Sequence, residues 1–452
     1  MRVLQLGVTD PSVIEHTLGL DIYAALVCAS VGRTPLLPRL VTMRWTPQAD
    51  IEYPYIVLFL SPSIQKIALG ITGESDPSTS VKIRLSLLPH LVSTCHHMSH
   101  LILCNKYGLN RPPLQEIENA LSAIRQWPSL RCLEMGGLPD LSTLCVAKFP
   151  FLRKLVVWNP HETSGERLAV RVKGFTKLEH LDIRFSTVEF SARLFSCMST
   201  TPLQTLRLEF GRDPESNQLS ELFMIMRRSI AHSSLQYLRI SYDESRTELV
   251  EEYRSITLRE LSPLLAFTDL SEVSIAINYE FRIDTKDLQV IASKWPRLQT
   301  LELISLKPSE YWPQITIYDL ASLVRDFPLL ENLTIAFDAS EVCLDAEKPG
   351  DSVRNEKIRT LGVLHSPIDE PGKVAAFLSD VVPNLRSINV FQYEEDNVPD
   401  DFEELERKWK EAGRYVELFS LVRTQERMGH ERVYSSNVLT HQITLEKLNE
   451  GG

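Results

Sequence analysis

No C-x-x-C pair, no run of more than two basic residues and no apolar stretch of membrane-spanning length occurs in this chain of 452 residues. Each absence removes a class of protein. The seven cysteines, odd in number and without paired spacing, fit free thiols in a reducing compartment and not a disulfide framework. A formal net charge of −11 with no basic block is a poor match for a nucleic-acid backbone. The longest mostly apolar stretches, around "DIYAALVCASVG" and "YPYIVLFL", fall short of the roughly 18 residues that a membrane helix requires. The opening "MRVLQLGVTD" has one arginine and too short an apolar run for a secretory signal. The expectation is a cytoplasmic or nuclear protein that binds neither nucleic acid nor membrane.

Motifs that carry chemistry are missing as well. There is no G-x-x-x-x-G-K, no G-x-G-x-x-G after a strand, no G-x-S-x-G and no H-E-x-x-H. "GITGESDPSTS", near residue 70, reads as a polar loop without the lysine that would hold a phosphate. The acidic run Glu394 to Glu404 lacks the spacing of a calcium loop and reads as a solvated linker leading into a helix. Neither an enzyme nor a cofactor site is expected.

What is present is repetition. "WPSLRCLEM", "FPFLRKLVV", "WPRLQTLEL", "FPLLENLTI" and "VPNLRSINV" each place an apolar residue, a proline and a variable position before L-x-x-L-x-L, and looser copies such as "FTKLEHLDI" and "SSLQYLRI" fill the gaps. The leading residues are Leu40, Ile64, Met98, Leu130, Leu152, Leu178, Leu203, Leu235, Leu270, Leu298, Leu330, Ile358 and Leu385. They recur on average every 29 residues or so, a leucine-rich-repeat period. Between them lie segments of helical periodicity, such as "PLQEIENALSAIRQW" and "TKDLQVIASKW". A short strand and then a helix, many times over, calls for parallel strands joined by right-handed crossovers. The proline before each strand stops the preceding helix and holds the chain extended.

The fold class predicted is therefore α/β: a leucine-rich-repeat solenoid with a curved parallel sheet on the concave side and helices on the convex side. Residues 1–391 form about 13 irregular units. Residues 392–452 supply an acidic linker, a charged helix and a C-terminal cap or tail. Met1, Leu4 and Leu6 already satisfy the repeat register, so the first unit reads as truncated and the chain as an N-terminally shortened form of a longer protein.

"CHHMSHLILC" gathers Cys95, His96, His97, His100 and Cys104 within ten residues. Zinc is one reading. The other makes the stretch a repeat, with Met98, Leu101 and Leu103 in the three apolar places. Strand alternation then puts His100, Ile102 and Cys104 on the open face and leaves His96 and His97 in the turn. The ligands scatter and no metal site forms, and structural zinc spacings are absent.

The variable positions beside each core leucine make up a candidate protein-binding surface on the concave face. In the central units they include Lys154, Val156 and Trp158; His180, Asp182 and Arg184; Thr205, Arg207 and Glu209; Tyr237, Arg239 and Ser241. Solvent-facing Trp158 and Tyr237 among arginines are residue types enriched at interaction hot spots. Arg207 and Arg239 occupy equivalent places on adjacent strands, with Asp182 and Glu209 at hand to neutralise them in part. The alternative is an ordinary polar sheet face.

The series "TPLLPRLVTMRW", "IVLFLSPSIQKIALG", "WPSLRCLEM", "FPFLRKLVVW" and "FPLLENLTI", with the closing "RKWKEAGRYVELFSLVR", resembles the leucine-rich region of fungal, particularly basidiomycete, F-box proteins over roughly residues 1 to 425. The resemblance implies a substrate-recognition part of an F-box-type ubiquitin ligase receptor. It implies contact with the ligase adaptor only where an upstream F-box exists, since no F-box-like "LPxE" helix set precedes the first repeat. The asparagine that commonly follows the strand is replaced by Pro160, Ser186, Asp243, Leu306 and Asp338. The alternative reading is a stand-alone leucine-rich scaffold with no ligase connection.

Overall fold

A computed structural model describes residues 3–7, 20–30, 35–47, 50–70, 77–103, 114–138, 145–160, 173–212, 214–242, 254–307, 312–343, 353–391 and 402–449. The chain divides into two compact units. Unit 1 is Met1–Glu252 with Arg259–Leu270, and unit 2 is Tyr253–Leu258 with Ser271–Gly452.

Among the described residues of unit 1, nine strands follow one another in chain order: β1 (Val3–Gly7), β2 (Thr42–Thr46), β3 (Lys66–Leu69), β4 (His100–Leu103), β5 (Cys132–Gly136), β6 (Lys154–Trp158), β7 (His180–Ser186), β8 (Thr205–Phe210) and β9 (Tyr237–Tyr242). Each pairs in parallel with the next. Unit 2 holds the short parallel pair β10 (Ser255–Ile256) and β12 (Glu280–Phe281). It also holds the ladder β11 (Glu272–Ile277), β13 (Thr300–Ser305), β14 (Asn332–Thr334), β15 (Thr360–Gly362) and β16 (Ser387–Asn389), again parallel and in order. Sequential parallel strands separated by helical segments are the α/β leucine-rich-repeat architecture expected from the period.

The repeat register is physically exact in its consequences. All thirteen leading residues, Leu40 to Leu385, are at most 5% exposed. The residue before the proline is the helix stop: Trp295, Phe327 and Val382 are the C-caps of helices Thr285–Lys294, Ile317–Asp326 and Pro371–Val381. A tight turn follows, in which the amide of Leu298 donates to the carbonyl of Trp295 (3.2 Å) and that of Leu330 to Phe327 (3.2 Å). The next two amides then share one carbonyl of the preceding repeat. Arg153 and Lys154 both donate to Arg131 O, Glu179 and His180 to Arg153 O, and Gln236 and Tyr237 to Gln204 O, at 2.8–3.0 Å. This seam sets the register that puts equivalent side chains side by side on successive strands.

The position three before six of the leads is a core anchor, filled by Trp127, Phe149, Phe175, Phe267, Trp295 and Phe327, all buried. Cys95 holds the same position, and so do two buried polar residues, Ser61 and Asn355, the latter 5% exposed. The helix starts are capped as their sequences suggest. Asp284 with Asp287, and Thr316 with Asp319, form reciprocal capping boxes.

Two expectations change. The polar stretch near residue 70 is not a loop throughout, because helix Pro77–Thr94 opens within it; proline at a first helical position lacks only an amide that has no partner there. The charged and amphipathic segments after residue 401 are one continuous helix, Phe402–Asn449. Its Trp409, Ala412 and Val416 are buried, and Arg423 is paired with Asp380 of helix Pro371–Val381 at 2.7 Å. The acidic linker to residue 401 lies outside the described residues.

Candidate functional site

The strand pattern of unit 1 creates two faces. Leu155 and Val157, Leu181 and Ile183, Leu206 and Leu208, and Leu238 and Ile240 point into the core and are at most 2% exposed. The alternate residues line the opposite, open face in rows fixed by the pairing: Lys154, His180, Thr205 and Tyr237 in one, then Val156, Asp182, Arg207 and Arg239. The candidate binding residues therefore do share one face.

Trp158 is the correction. It stands on this face, but only 6% of it is exposed, and Val156 beside it is 3% exposed. The register sets Trp158 between Gly136 and Arg184. Tyr237, by contrast, is 41% exposed. Arg207 and Arg239 are direct partners across β8 and β9, as their repeat positions require.

The charges on this face are unevenly matched. Lys154 Nζ lies 2.6 Å from Glu134 Oε1, a residue the sequence reading did not single out although it occupies the equivalent middle position one strand earlier. Burial opposes the Lys154 ammonium, but its bond to Glu134 wins and holds its pKa above the ordinary lysine value. Asp182 grips Arg184 through both carboxylate oxygens, with Nη2 to Oδ2 at 2.8 Å and Nε to Oδ1 at 3.1 Å. That bond chiefly, and then the charge of Asp182 and of Glu209, raises the Arg184 pKa against the opposing effect of burial. Arg207 reaches Asp182 only at 4.0 Å, with its side chain 45% exposed. Arg239 is exposed and makes no ion pair or hydrogen bond with a described residue.

The "CHHMSHLILC" stretch divides as the repeat reading requires. Cys95 is a buried core anchor, its thiol against Ser61 O at 3.5 Å, and burial pushes its pKa up to about 11. His96 and His97 are exposed in the turn, and His100 is on the open face of β4. Cys104 lies outside the described residues. Among the described residues no group of three or more His, Cys, Asp and Glu converges as a metal site would. Cys132, on the open face beside His100, is held in its thiol form, with burial first and the charge of Glu134 second raising its pKa to about 11. Neither cysteine is set up as a nucleophile.

His100 bonds Ser99 Oγ through Nδ1 at 2.8 Å, and burial, followed by the charges of Lys66, Arg131 and Lys154, lowers its pKa below the ordinary 6.5. The neutral imidazole is therefore favoured in the folded chain. With a folded pKa below the unfolded one, the unfolded chain binds more protons as pH falls through 6.5 and below, so folding stability is lost on acidification. His100→Gln is expected to flatten part of that decline, read as the change in urea midpoint between neutral pH and pH about 5.

In unit 2 a cavity of about 190 Å³ lies at the strand ends, its lining including Leu303, Ile335, Trp312, Glu280 and Arg282. Three of its polar groups are already committed within the fold. Arg282 Nε lies 3.2 Å from Glu280 Oε2, and Trp312 Nε1–H donates to Asp338 at 2.8 Å. No helix among the described residues is long and apolar enough to cross a membrane.

No family model and no curated protein sequence matches the chain. Among solved structures, the complex of Rad7 and Elc1 in yeast contains a chain similar to this one at a TM-score of 0.39 and 13% identity, over 85% of this chain and 87% of that one.

Proposed function

We propose that the chain is a protein-interaction module that binds its partner on the open sheet face of unit 1, and that it is not an enzyme. The observation that carries this reading is the shared face: the repeat register brings exposed Tyr237, Arg207 and Arg239 together on β8 and β9, on a rigid scaffold rather than on loops. Among the described residues of this face, Cys132 is kept as a thiol and Asp182 is engaged by Arg184, so neither is poised for proton transfer. Within that class, substrate recognition for an F-box-type ubiquitin ligase is the role that the sequence resemblance supports.

The test uses the full chain and a Tyr237→Ala, Arg207→Ala variant. Both sites are exposed or half-exposed on the sheet, so the variant should keep the wild-type melting temperature to within a degree or two. Crosslinks from a captured partner should map to β7–β9, and the variant should bind that partner at least about tenfold more weakly. Undiminished binding by the variant would move the site off this face. Recovery of the ligase adaptor with a chain extended upstream, and none with a partner-free control repeat protein, would support the ligase role over a free-standing scaffold.

A further inference from the structure

We propose that the occupant of this face is an acidic protein segment whose carboxylates meet Arg207 and Arg239. The inference rests on the reading of unit 1 as an interaction module and names the chemistry of its partner. Among the described strands of unit 1, the open positions carry six cations, Arg44, Lys66, Lys154, Arg184, Arg207 and Arg239, against three carboxylates, Glu134, Asp182 and Glu209. This excess of three positive charges sits in a chain whose formal net charge is −11. The corresponding positions of unit 2 bear only Glu272 and Glu302 as charged groups, and both are acidic. Among the described strand positions, the excess of cations thus lies on the open face of unit 1.

How the carboxylates are used narrows the place further. Glu134 is taken by Lys154, and Asp182 is taken in bidentate fashion by Arg184, on which the charge of Glu209 also bears. Arg207 is left with a contact of 4.0 Å to Asp182, and Arg239 with none among the described residues. These two guanidinium groups stand on adjacent, directly paired positions, where strands run about 4.8 Å apart. Like charges so placed repel. Among the described residues the carboxylate that reaches the pair is Asp182, at 4.0 Å from Arg207 and already held by Arg184, and an incoming carboxylate would relieve both guanidinium groups with bidentate geometry. Tyr237, in the adjoining row and 41% exposed, offers a ring to the apolar part of the same segment.

Fluorescence anisotropy with the full chain tests the proposal. The probes are a short labelled peptide rich in glutamate and aspartate with one aromatic residue, its glutamine and asparagine counterpart, and a single-stranded oligonucleotide of equal charge. The acidic peptide should bind, its affinity should fall as salt is raised, and Arg207→Glu with Arg239→Glu should weaken it by about tenfold or more. A charge reversal on β13 of unit 2, Glu302→Lys, should leave binding unchanged. Equal binding of the neutral peptide, indifference to the arginine reversals, or tighter binding of the oligonucleotide would each overturn the proposal. If the Tyr237→Ala, Arg207→Ala variant still loses its captured partner while the acidic peptide binds nowhere, the interaction face stands and only its acidic occupant falls.

Discussion

Trp409→Ala is expected to lower the stability of unit 2 by about 3–5 kcal/mol, the usual loss when a large buried aromatic is truncated. The indole is 0% exposed, and its Nε1–H donates to Ser366 O at 2.8 Å. Its ring meets Phe337 edge to face, with centroids 5.7 Å apart. Ser366 in turn accepts the Phe337 amide on its hydroxyl at 2.9 Å, so one tryptophan closes a triangle that ties the terminal helix to two separate loops. Truncation opens a cavity and also leaves a buried carbonyl without its donor. Urea unfolding followed by a probe within residues 355–391 should show the loss, whereas Trp409→Phe should restore the packing and forfeit only the hydrogen bond. A wild-type midpoint for Trp409→Ala would mean that the helix does not cap the repeats.

Asn355→Ala is the second large effect, at about 2–4 kcal/mol, and its cause is different. Asn355 sits at the anchor position that six other repeats fill with tryptophan or phenylalanine, and its side chain serves four backbone groups. Its amide donates to Val324 O at 3.0 Å and Phe327 O at 3.2 Å, both at the end of the preceding helix. Its carbonyl accepts from Lys357 N at 2.8 Å and Ile358 N at 3.3 Å. Removing it leaves buried polar groups unpaired, each worth about 1–3 kcal/mol. Asn355→Asp should be comparably harmful, since a carboxylate cannot donate to the two helix carbonyls and would be a buried charge. Hydrogen exchange at Lys357 and Ile358 would report the damage directly. Unchanged protection there in Asn355→Ala would refute the assignment.

The contrast between these residues shows what a single chain discloses. The leads, the helix stops at Trp295, Phe327 and Val382 and the pairing of Arg207 with Arg239 were legible because each follows from a period and an alternation, which are properties of the chain itself. Faces were legible for the same reason. Depth was not: Trp158 is on the face that alternation assigns, yet it is covered, because burial depends on what packs over a position and not on alternation. Glu134 escaped notice although it decides the fate of Lys154, since an ion pair across twenty residues of chain is visible only once strands are laid in register. Asn355 carried no signal in the repeat pattern, which marks apolar positions and not polar ones. Its four hydrogen bonds make it a polar solution to the same anchoring task.

The lengths of the ladders bear on how the chain folds. β8 and β9 share six paired positions and β11 and β13 another six, whereas β14, β15 and β16 are joined by three each. An array in which each repeat contacts its neighbours can begin to fold at any point and spread outward. Spreading is easiest from the repeats whose strands contribute most bonds, and it reaches last those that depend on a single asparagine and a distant tryptophan. Because Trp409 is synthesised after all of them, the three-rung repeats cannot be sealed until the terminal helix has left the ribosome. Early release of the chain before that helix would strand them half-closed, with their apolar anchors open to chaperones and proteases.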